Sequence, residues 1–173
     1  GLKFYESRWS QKDFSKLKCN FSQPLWLGEQ SLLGKTILLH AEQGLGDTIQ
    51  FCRYVKMVSK LGGKVILEVQ KPLMKLLNDF TVDLTLICKG DPLPHFDFHC
   101  PLMSLPLAFK TSLNTIPNNV PYLFSNESKV QYWKNYLGDH GFKIAISWQG
   151  NPQSKADVGR SFPVELLMIS LYF

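Results

Sequence analysis

The chain has 173 residues, of which 45% are hydrophobic and 19% are charged, and its formal net charge is +5. This length is ample for a hydrophobic core, and no apolar run approaches the roughly 18 residues that a transmembrane helix needs. The positive charges are scattered rather than clustered, so the composition does not favour a nucleic-acid-binding protein.

Residues 1–33 contain several aromatic side chains but no helical or strand period, which indicates a connector segment packed on a domain. From residue 34 onwards, apolar runs alternate with helical periods. The pattern predicts strands at 35–41, 64–69, 84–88 and 96–101, and helices at 47–61, after Pro72 and at 103–109. Because the strands are continuous apolar runs, we expect an α/β fold over residues 34–125, a Rossmann-like parallel sheet with helices on both faces.

The composition changes after residue 110, because residues 111–121 are polar and interrupted by prolines. Beyond them the sequence predicts an amphipathic helix at 127–137, a buried strand at 142–148 and a helix beginning near Pro163. We interpret residues 126–173 as a linker helix followed by the truncated start of a second α/β lobe. The apolar residues at its end would be exposed, which predicts self-association.

The junction within residues 36–50 is the most informative part of the chain. An apolar run ends there, the two glycines Gly44 and Gly46 follow, and helical spacing begins at Asp47. In an open α/β sheet such a junction lies at the carboxyl end of a strand, where a helix N-terminus can face a ligand. Asp47 would place a carboxylate at its mouth. Two plainer interpretations stay open: Asp47 as a helix cap, and glycines needed only for a turn with positive φ.

Metal-binding patterns are weak in this sequence. The four cysteines are widely spaced and form no C-x-x-C pair, which argues against both a zinc knuckle and a disulfide framework. His95, Asp97 and His99 alternate along one predicted strand face, but ligands along a single strand diverge and no fourth ligand is evident. The chain also opens without a secretory-signal pattern. We therefore predict no metal site, and a cytoplasmic protein with reduced cysteines.

Three segments of the chain resemble a known family. They are residues 38–51 (LLHAEQGLGDTIQF), 96–106 (FDFHCPLMSLP) and 148–152 (WQGNP). These segments are similar to bacterial tetratricopeptide-repeat proteins that end in a glycosyltransferase-like region, which is related to the heptosyltransferases of glycosyltransferase family 9. Residues 1–9 are similar to the join that follows the repeats in that family.

The resemblance implies a two-lobed GT-B fold, in which the N-terminal lobe handles the acceptor and the C-terminal lobe binds a sugar nucleotide. The implied reaction is an inverting transfer from that sugar nucleotide, a co-substrate, to a hydroxyl of a glycan or protein acceptor, with no further cofactor. This chain would hold the first lobe and only the start of the second. We therefore expect it to be inactive by itself.

The resemblance also assigns roles to residues. Gly46-Asp47 matches the Gly-Asp whose carboxylate is thought to act as base in the heptosyltransferases, so Asp47 is the expected catalytic residue. A basic residue shortly before a proline-started helix meets the donor phosphates in that family; Arg160 is the nearest match, although lysine is usual there. The expected donor-binding residues are Gly150, Asn151, Lys155, Arg160 and Ser161. The expected lining of the acceptor cleft is Gln43, Gly44, Gly46, His99 and Ser104.

Two other functions remain open at the level of sequence. Gly44-x-Gly46 after a strand also suits a Rossmann-type enzyme that binds a dinucleotide or S-adenosylmethionine. Against it, the full G-x-G-x-x-G is absent, and Glu68 is the only candidate for a ribose-binding acid. The remaining interpretation is a binding module that keeps a glycosyltransferase-like scaffold without turnover. A bound reduced cofactor would favour the first alternative.

Overall fold

A four-stranded parallel sheet organises the first part of the chain. The computed structural model describes residues 1–16, 18–80, 83–150 and 157–169. Its strands are β1 (Thr36–His40), β2 (Lys64–Val69), β3 (Leu84–Cys88) and β4 (Phe98–Pro101). They lie in the order β3-β2-β1-β4, and every neighbouring pair is parallel. The Rossmann-like α/β fold predicted from the sequence is confirmed.

Short helices alternate with these strands. The α-helices are α1 (Leu2–Tyr5), α2 (Lys12–Ser15), α3 (Leu45–Phe51), α4 (Val55–Ser59), α5 (Met74–Leu77), α6 (Leu105–Ala108), α7 (Glu127–Leu137) and α8 (Glu165–Ile169). Turns of 3₁₀-helix lie at Glu6–Ser10, Cys52–Tyr54, Lys71–Leu73, Leu102–Ser104 and Leu113–Thr115. The helix predicted at 47–61 is therefore α3, a 3₁₀ turn and α4 in succession. None of the described helices is long and apolar enough to cross a membrane.

The main hydrophobic core lies between the sheet and the helices. Ile37 and Leu39 point to one face of β1, and Leu67 extends this face on β2. Val55 and Val58 of α4 pack against them and are fully buried. Burial of each such aliphatic side chain contributes about 1.5–3 kcal/mol to stability, so this face holds the lobe together.

A smaller apolar cluster covers the opposite face of the sheet. It contains Leu38, Ile66 and Ile87 from three adjacent strands, and Phe96 from the segment before β4. Phe21, from the N-terminal segment, packs against this cluster. Two buried polar residues continue this face of the sheet at its carboxyl end: they are His40 and Glu68, which are register partners on β1 and β2. The carboxyl end of the sheet is therefore polar where its middle is apolar.

The N-terminal segment is part of this domain. Trp26 is almost completely buried in the main core, and its backbone N–H donates to the carbonyl of His99 at 2.8 Å. Its indole N–H donates to the carbonyl of Gln30 at 2.9 Å. Leu25 forms a parallel bridge with His99, beside β4. The segment predicted as a connector thus adds both core residues and a strand-like contact to the sheet edge.

The chain divides into two compact units, residues 1–130 and 131–173. In the second unit α8 lies where a helix was predicted, but the prediction of a buried strand at 142–148 is wrong. Phe142 is 94% exposed, Ile144 and Ile146 are also exposed, and no described strand pairs with this segment. A strand satisfies its backbone hydrogen bonds only through a neighbouring strand, so an apolar run is not sufficient to form one.

Candidate functional site

The carboxyl edge of the sheet contains a topological switch point. The strands β2 and β3 follow on one side of β1, whereas β4 lies on its other side, so the order in which strands are added to the sheet reverses between β1 and β4. In open α/β sheets ligands bind outside the carboxyl ends of the strands at such a point. Glu42 and Asp47 follow β1 here, and Ser104 follows β4. The candidate site is therefore built from these loops.

Asp47 is the third residue of α3, which begins at Leu45 with Gly44 as its N-cap residue. Its carboxylate oxygen Oδ2 accepts a hydrogen bond from the backbone N–H of Gly44 at 2.9 Å. The capping interpretation is thus correct in kind but reversed in direction, because Asp47 reaches back to the N-cap rather than being it. The side chain is partly exposed, and its other oxygen makes no hydrogen bond to the described residues.

The glycines of this junction are not explained by backbone conformation. Gly44 has φ −71°, and neither Gly44 nor Gly46 is among the described glycines with positive φ. A Cβ on Gly44 would lie 3.2 Å from Oδ2 of Asp47, which accounts for that glycine by packing. A Cβ on Gly46 would meet nothing within 4 Å. A side chain at position 46 would therefore have room, so neither packing nor a turn requires glycine there.

Arg8 occupies the switch point between the loops after β1 and β4. The side chain is only 4% exposed. Its Nη2 donates to both carboxylate oxygens of Glu42 at 3.1 Å and to Oγ of Ser104 at 2.8 Å, and its Nη1 donates to Oε1 of Glu6 at 2.8 Å. Ser104 Oγ in turn donates to Glu6. Ser104, expected to line a cleft, is completely buried beneath these charged groups.

Two aromatic rings enclose the same guanidinium. Its central carbon lies 4.6 Å from the ring centre of Tyr5 and 4.3 Å from that of Trp9. The Tyr5 hydroxyl accepts a hydrogen bond from the side-chain amide of Gln43 at 3.0 Å. Gln43, an expected cleft residue, therefore contacts the N-terminal segment. Residues 5–9 thus form one side of the site, and the sequence carried no spacing signal for Arg8 because its partners lie far along the chain.

Burial shifts the pKa values of two acidic side chains at this edge of the sheet, Glu42 and Glu68. Burial raises the pKa of Glu42, and the neighbouring Arg8 opposes that rise through its charge and its hydrogen bonds. Burial likewise raises the pKa of Glu68, whereas Lys89 and the backbone N–H of Gly90 lower it. Lys89 also donates to the carbonyl of Ala41 at 3.1 Å, which fastens the end of β1 to the loop after β3.

His40 and His99 form a pair on the smaller-cluster face of the sheet. Nε2 of His40 lies 3.3 Å from Nδ1 of His99, and Phe21 contacts both rings edge-on. Nδ1 of His40 is buried and has no hydrogen-bond partner among the described residues. Burial, with the nearby charge of His99, lowers the pKa of His40 to about 3, and burial also lowers the pKa of His99. His99 therefore faces His40 and Phe21, and both imidazoles are neutral at pH 7.

Asp97, the middle residue of the alternating pattern His95, Asp97 and His99, contacts the start of β1. Asp97 accepts a hydrogen bond from the backbone N–H of Thr36 at 2.8 Å and pairs with Lys35 at 3.5 Å. The Thr36 N–H is the main reason that the pKa of Asp97 is lowered. Within the described ranges, no group of three or more potential ligands is placed to hold a metal ion. Asp97 thus anchors the start of β1.

The second unit brings two expected donor-binding residues together. The backbone N–H of Gly150 donates to Oγ of Ser161 at 2.8 Å, and Ser161 donates to Oδ1 of Asp157 at 2.8 Å. The N–H of Arg160 donates to the carbonyl of Asp157 at 2.9 Å, which closes a turn. Asp157 was not predicted. The other expected donor-binding residues, Asn151 and Lys155, lie outside the described residues.

Comparisons with known proteins add no relative to this picture. No protein-family model, no curated protein and no solved structure matches the chain. The fold and the site geometry are therefore the observations on which a function can be argued.

Proposed function

We propose that this chain supplies the acceptor lobe, and part of the donor lobe, of an inverting GT-B glycosyltransferase that uses a sugar nucleotide. The observation that carries the proposal is the position of Asp47. Its carboxylate follows β1 at the carboxyl edge of the sheet, is partly exposed, and has one oxygen that makes no hydrogen bond to the described residues. The segments that resemble the family-9 transferases also support it, since they include this junction and the Gly150 region.

The chemistry requires a base on the acceptor side and positive charge on the donor side. In our proposal one oxygen of Asp47 is held by the N–H of Gly44, and the other takes the proton of the acceptor hydroxyl. The acceptor oxygen then bonds to the anomeric carbon from the face opposite the diphosphate, and the bond from that carbon to the diphosphate oxygen breaks. The resemblance assigns the departing diphosphate to Arg160 and Ser161.

The substitution Asp47→Asn tests this role sharply. The asparagine side-chain oxygen can still accept the hydrogen bond from Gly44, so the helix start is preserved while the base is lost. In the protein carrying both lobes, we expect release of nucleoside diphosphate from a panel of sugar nucleotides, with carbohydrate and peptide acceptors, to fall about 100-fold or more. Asp83→Asn, an exposed aspartate just before β3 at the opposite edge of the sheet, is the matched control.

Turnover that Asp47→Asn leaves intact would refute the role of Asp47. A dinucleotide or S-adenosylmethionine enzyme is the competing candidate, since Glu68 lies at the end of β2, where such enzymes bind ribose. Glu68 is mostly buried and its carboxylate takes the N–H of Gly90, so a ribose hydroxyl would have to displace that contact. Thermal stabilisation by NAD, NADP or S-adenosylmethionine, but by no sugar nucleotide, would favour that candidate instead.

A further inference from the structure

A cavity with cationic and aromatic walls lies against α4, away from Asp47. Its volume is about 360 Å³, which falls within the range of small-molecule sites. The cations Arg53, Lys56 and Lys60 border it, and Phe80 and Tyr122 are among its aromatic walls. Because α4 runs back from the carboxyl edge, the cavity lies toward the amino ends of the strands. It is thus a separate feature from the candidate transferase site.

The three cations share one side of the helical segment. They are spaced three and four residues apart, which places them next to one another on a helix surface. None of the residues that line the cavity is acidic. Lys56 and Lys60 are exposed and form no ion pair within the part of the chain that the structure describes. The two ammonium groups are therefore available to pair with a bound anion.

One wall of the cavity is rigid before any ligand binds. Nη1 of Arg53 donates to the carbonyl of Pro117 at 3.1 Å, and its Nη2 donates to the Tyr122 hydroxyl at 3.2 Å. The guanidinium also lies 4.6 Å from the centre of the Tyr122 ring. The Tyr122 hydroxyl in turn donates to the carbonyl of Ile49 at 3.1 Å. These contacts hold the Arg53 guanidinium and the Tyr122 ring in place, so this wall is formed before a ligand binds.

The plain explanation of Lys56 and Lys60 is that they cover the solvent side of an amphipathic helix. That explanation accounts for the lysines but not for Phe124, which is 50% exposed at the cavity. An exposed aromatic ring beside cations that have no anionic partner in the described residues matches a ligand that has both a planar ring and a phosphate.

We propose that this cavity binds a nucleoside-monophosphate-type ligand. Its ring would stack on Phe124 and Phe80, and its phosphate would lie on Lys56 and Lys60. The inference does not rest on the glycosyltransferase proposal, because no residue of this cavity takes part in that chemistry. Its test uses adenosine 5′-monophosphate as the probe, with adenosine and inorganic phosphate as its two separate halves.

Calorimetric titration of the protein with the three probes separates the contribution of the lysines from that of the aromatic side chains. We expect the double variant Lys56→Gln/Lys60→Gln to weaken binding of the monophosphate about tenfold or more and to abolish phosphate binding. Phe124→Ala should weaken the monophosphate and adenosine about tenfold while phosphate binding is unchanged. The control, Lys12→Gln/Lys16→Gln, removes two exposed lysines with the same spacing elsewhere and should change nothing. All these positions are exposed, so unchanged unfolding midpoints will verify the fold.

Three results would overturn the proposal. The first is absence of saturable binding of the monophosphate at millimolar concentration. The second is binding that the lysine double variant leaves unchanged, which would place the ligand elsewhere. The third is an equal loss of binding in the control variant, which would show that the effect comes from the overall charge of the protein. Binding that survives Asp47→Asn, together with loss of transfer in that variant, would support both proposals independently.

Discussion

Two polar clusters at the carboxyl edge of the sheet are buried in different ionisation states. The cluster around Arg8 keeps its charges and pairs them, with Glu42 and Glu6 on one guanidinium. The pair of His40 and His99 stays neutral and leaves one imidazole nitrogen without a described partner. A buried charged side chain is stable when oppositely charged and hydrogen-bonding groups surround it. A buried histidine that lacks such partners releases its proton and stays neutral instead. Substitution of Arg8 should therefore lower the free energy of unfolding, whereas substitution of His40 should change how that free energy depends on pH.

Removal of Arg8 should have the largest effect. Arg8→Ala leaves the buried Glu42 and the partly buried Glu6 without their cation, so we expect the free energy of unfolding to fall by about 3–5 kcal/mol. Urea denaturation of the purified protein measures this. Lys3→Ala removes an exposed cation from the same segment and should change little. A loss below about 1 kcal/mol for Arg8→Ala would show that the charged cluster is not held as described.

The neutral histidine pair should make the free energy of unfolding depend on pH. The pKa of His40 is about 3 in the folded protein against 6.5 for the free side chain, so the unfolded chain binds the extra proton first. The stability that this difference supplies is complete above pH 6.5 and is lost progressively as the pH falls towards 3. Between pH 6.5 and 5 the expected loss is at most about 2 kcal/mol. Urea denaturation of the parent protein across this range, compared at each pH with His40→Gln, measures it.

His40→Gln should flatten this slope, with a residual slope from His99, whose pKa is also lowered. The matched control is His95→Gln, because His95 is exposed, and it should keep the parental slope. The buried acids Glu42 and Glu68 have raised pKa values and act in the opposite direction near pH 4.5. Because they remain in both proteins, comparison of parent and variant at each pH cancels them. Equal slopes in parent and His40→Gln would contradict the assignment.

Ser104 offers the smallest and most local change. Ser104→Ala removes one hydroxyl that accepts from Arg8 and donates to Glu6, while the ion pairs remain. We expect a loss of about 1 kcal/mol in the free energy of unfolding. Because Ser104 shares one hydrogen bond with Arg8 and keeps the other to Glu6, the effect of Ser104→Ala should become smaller in an Arg8→Ala background, which a double-mutant cycle measures. Additive losses would mean that Ser104 acts independently of Arg8.

The parallel sheet could be predicted because its strands are local apolar runs. The predicted limits of β2 and β3 match the structure, and so does the position of Asp47 beside the end of β1. The charged cluster could not be predicted in the same way. Arg8 lies 34 residues from Glu42 and 96 from Ser104, and no local period connects such positions. Only the three-dimensional arrangement of β1 and β4 brings them together.

Two further differences show where local patterns fail. The run at 142–148 has the composition of a buried strand, but strand formation depends on a neighbour that composition does not supply. The pattern at Gly44 and Gly46 suggested a turn with positive φ, yet both glycines adopt other conformations. A side chain at Gly44 would lie close to the Asp47 carboxylate, whereas a side chain at Gly46 would meet nothing within 4 Å. Neither can be deduced from residue type alone.

The partners of Arg8 also determine when its segment can dock during folding. The first ten residues leave the ribosome before everything they bind, and their contact with Ser104 spans 96 positions of the chain. Closing so long a loop is entropically costly until β1 and β4 have already paired. We therefore expect the sheet to assemble first and residues 1–10 to settle on it afterwards, although they are synthesised before β1 and β4.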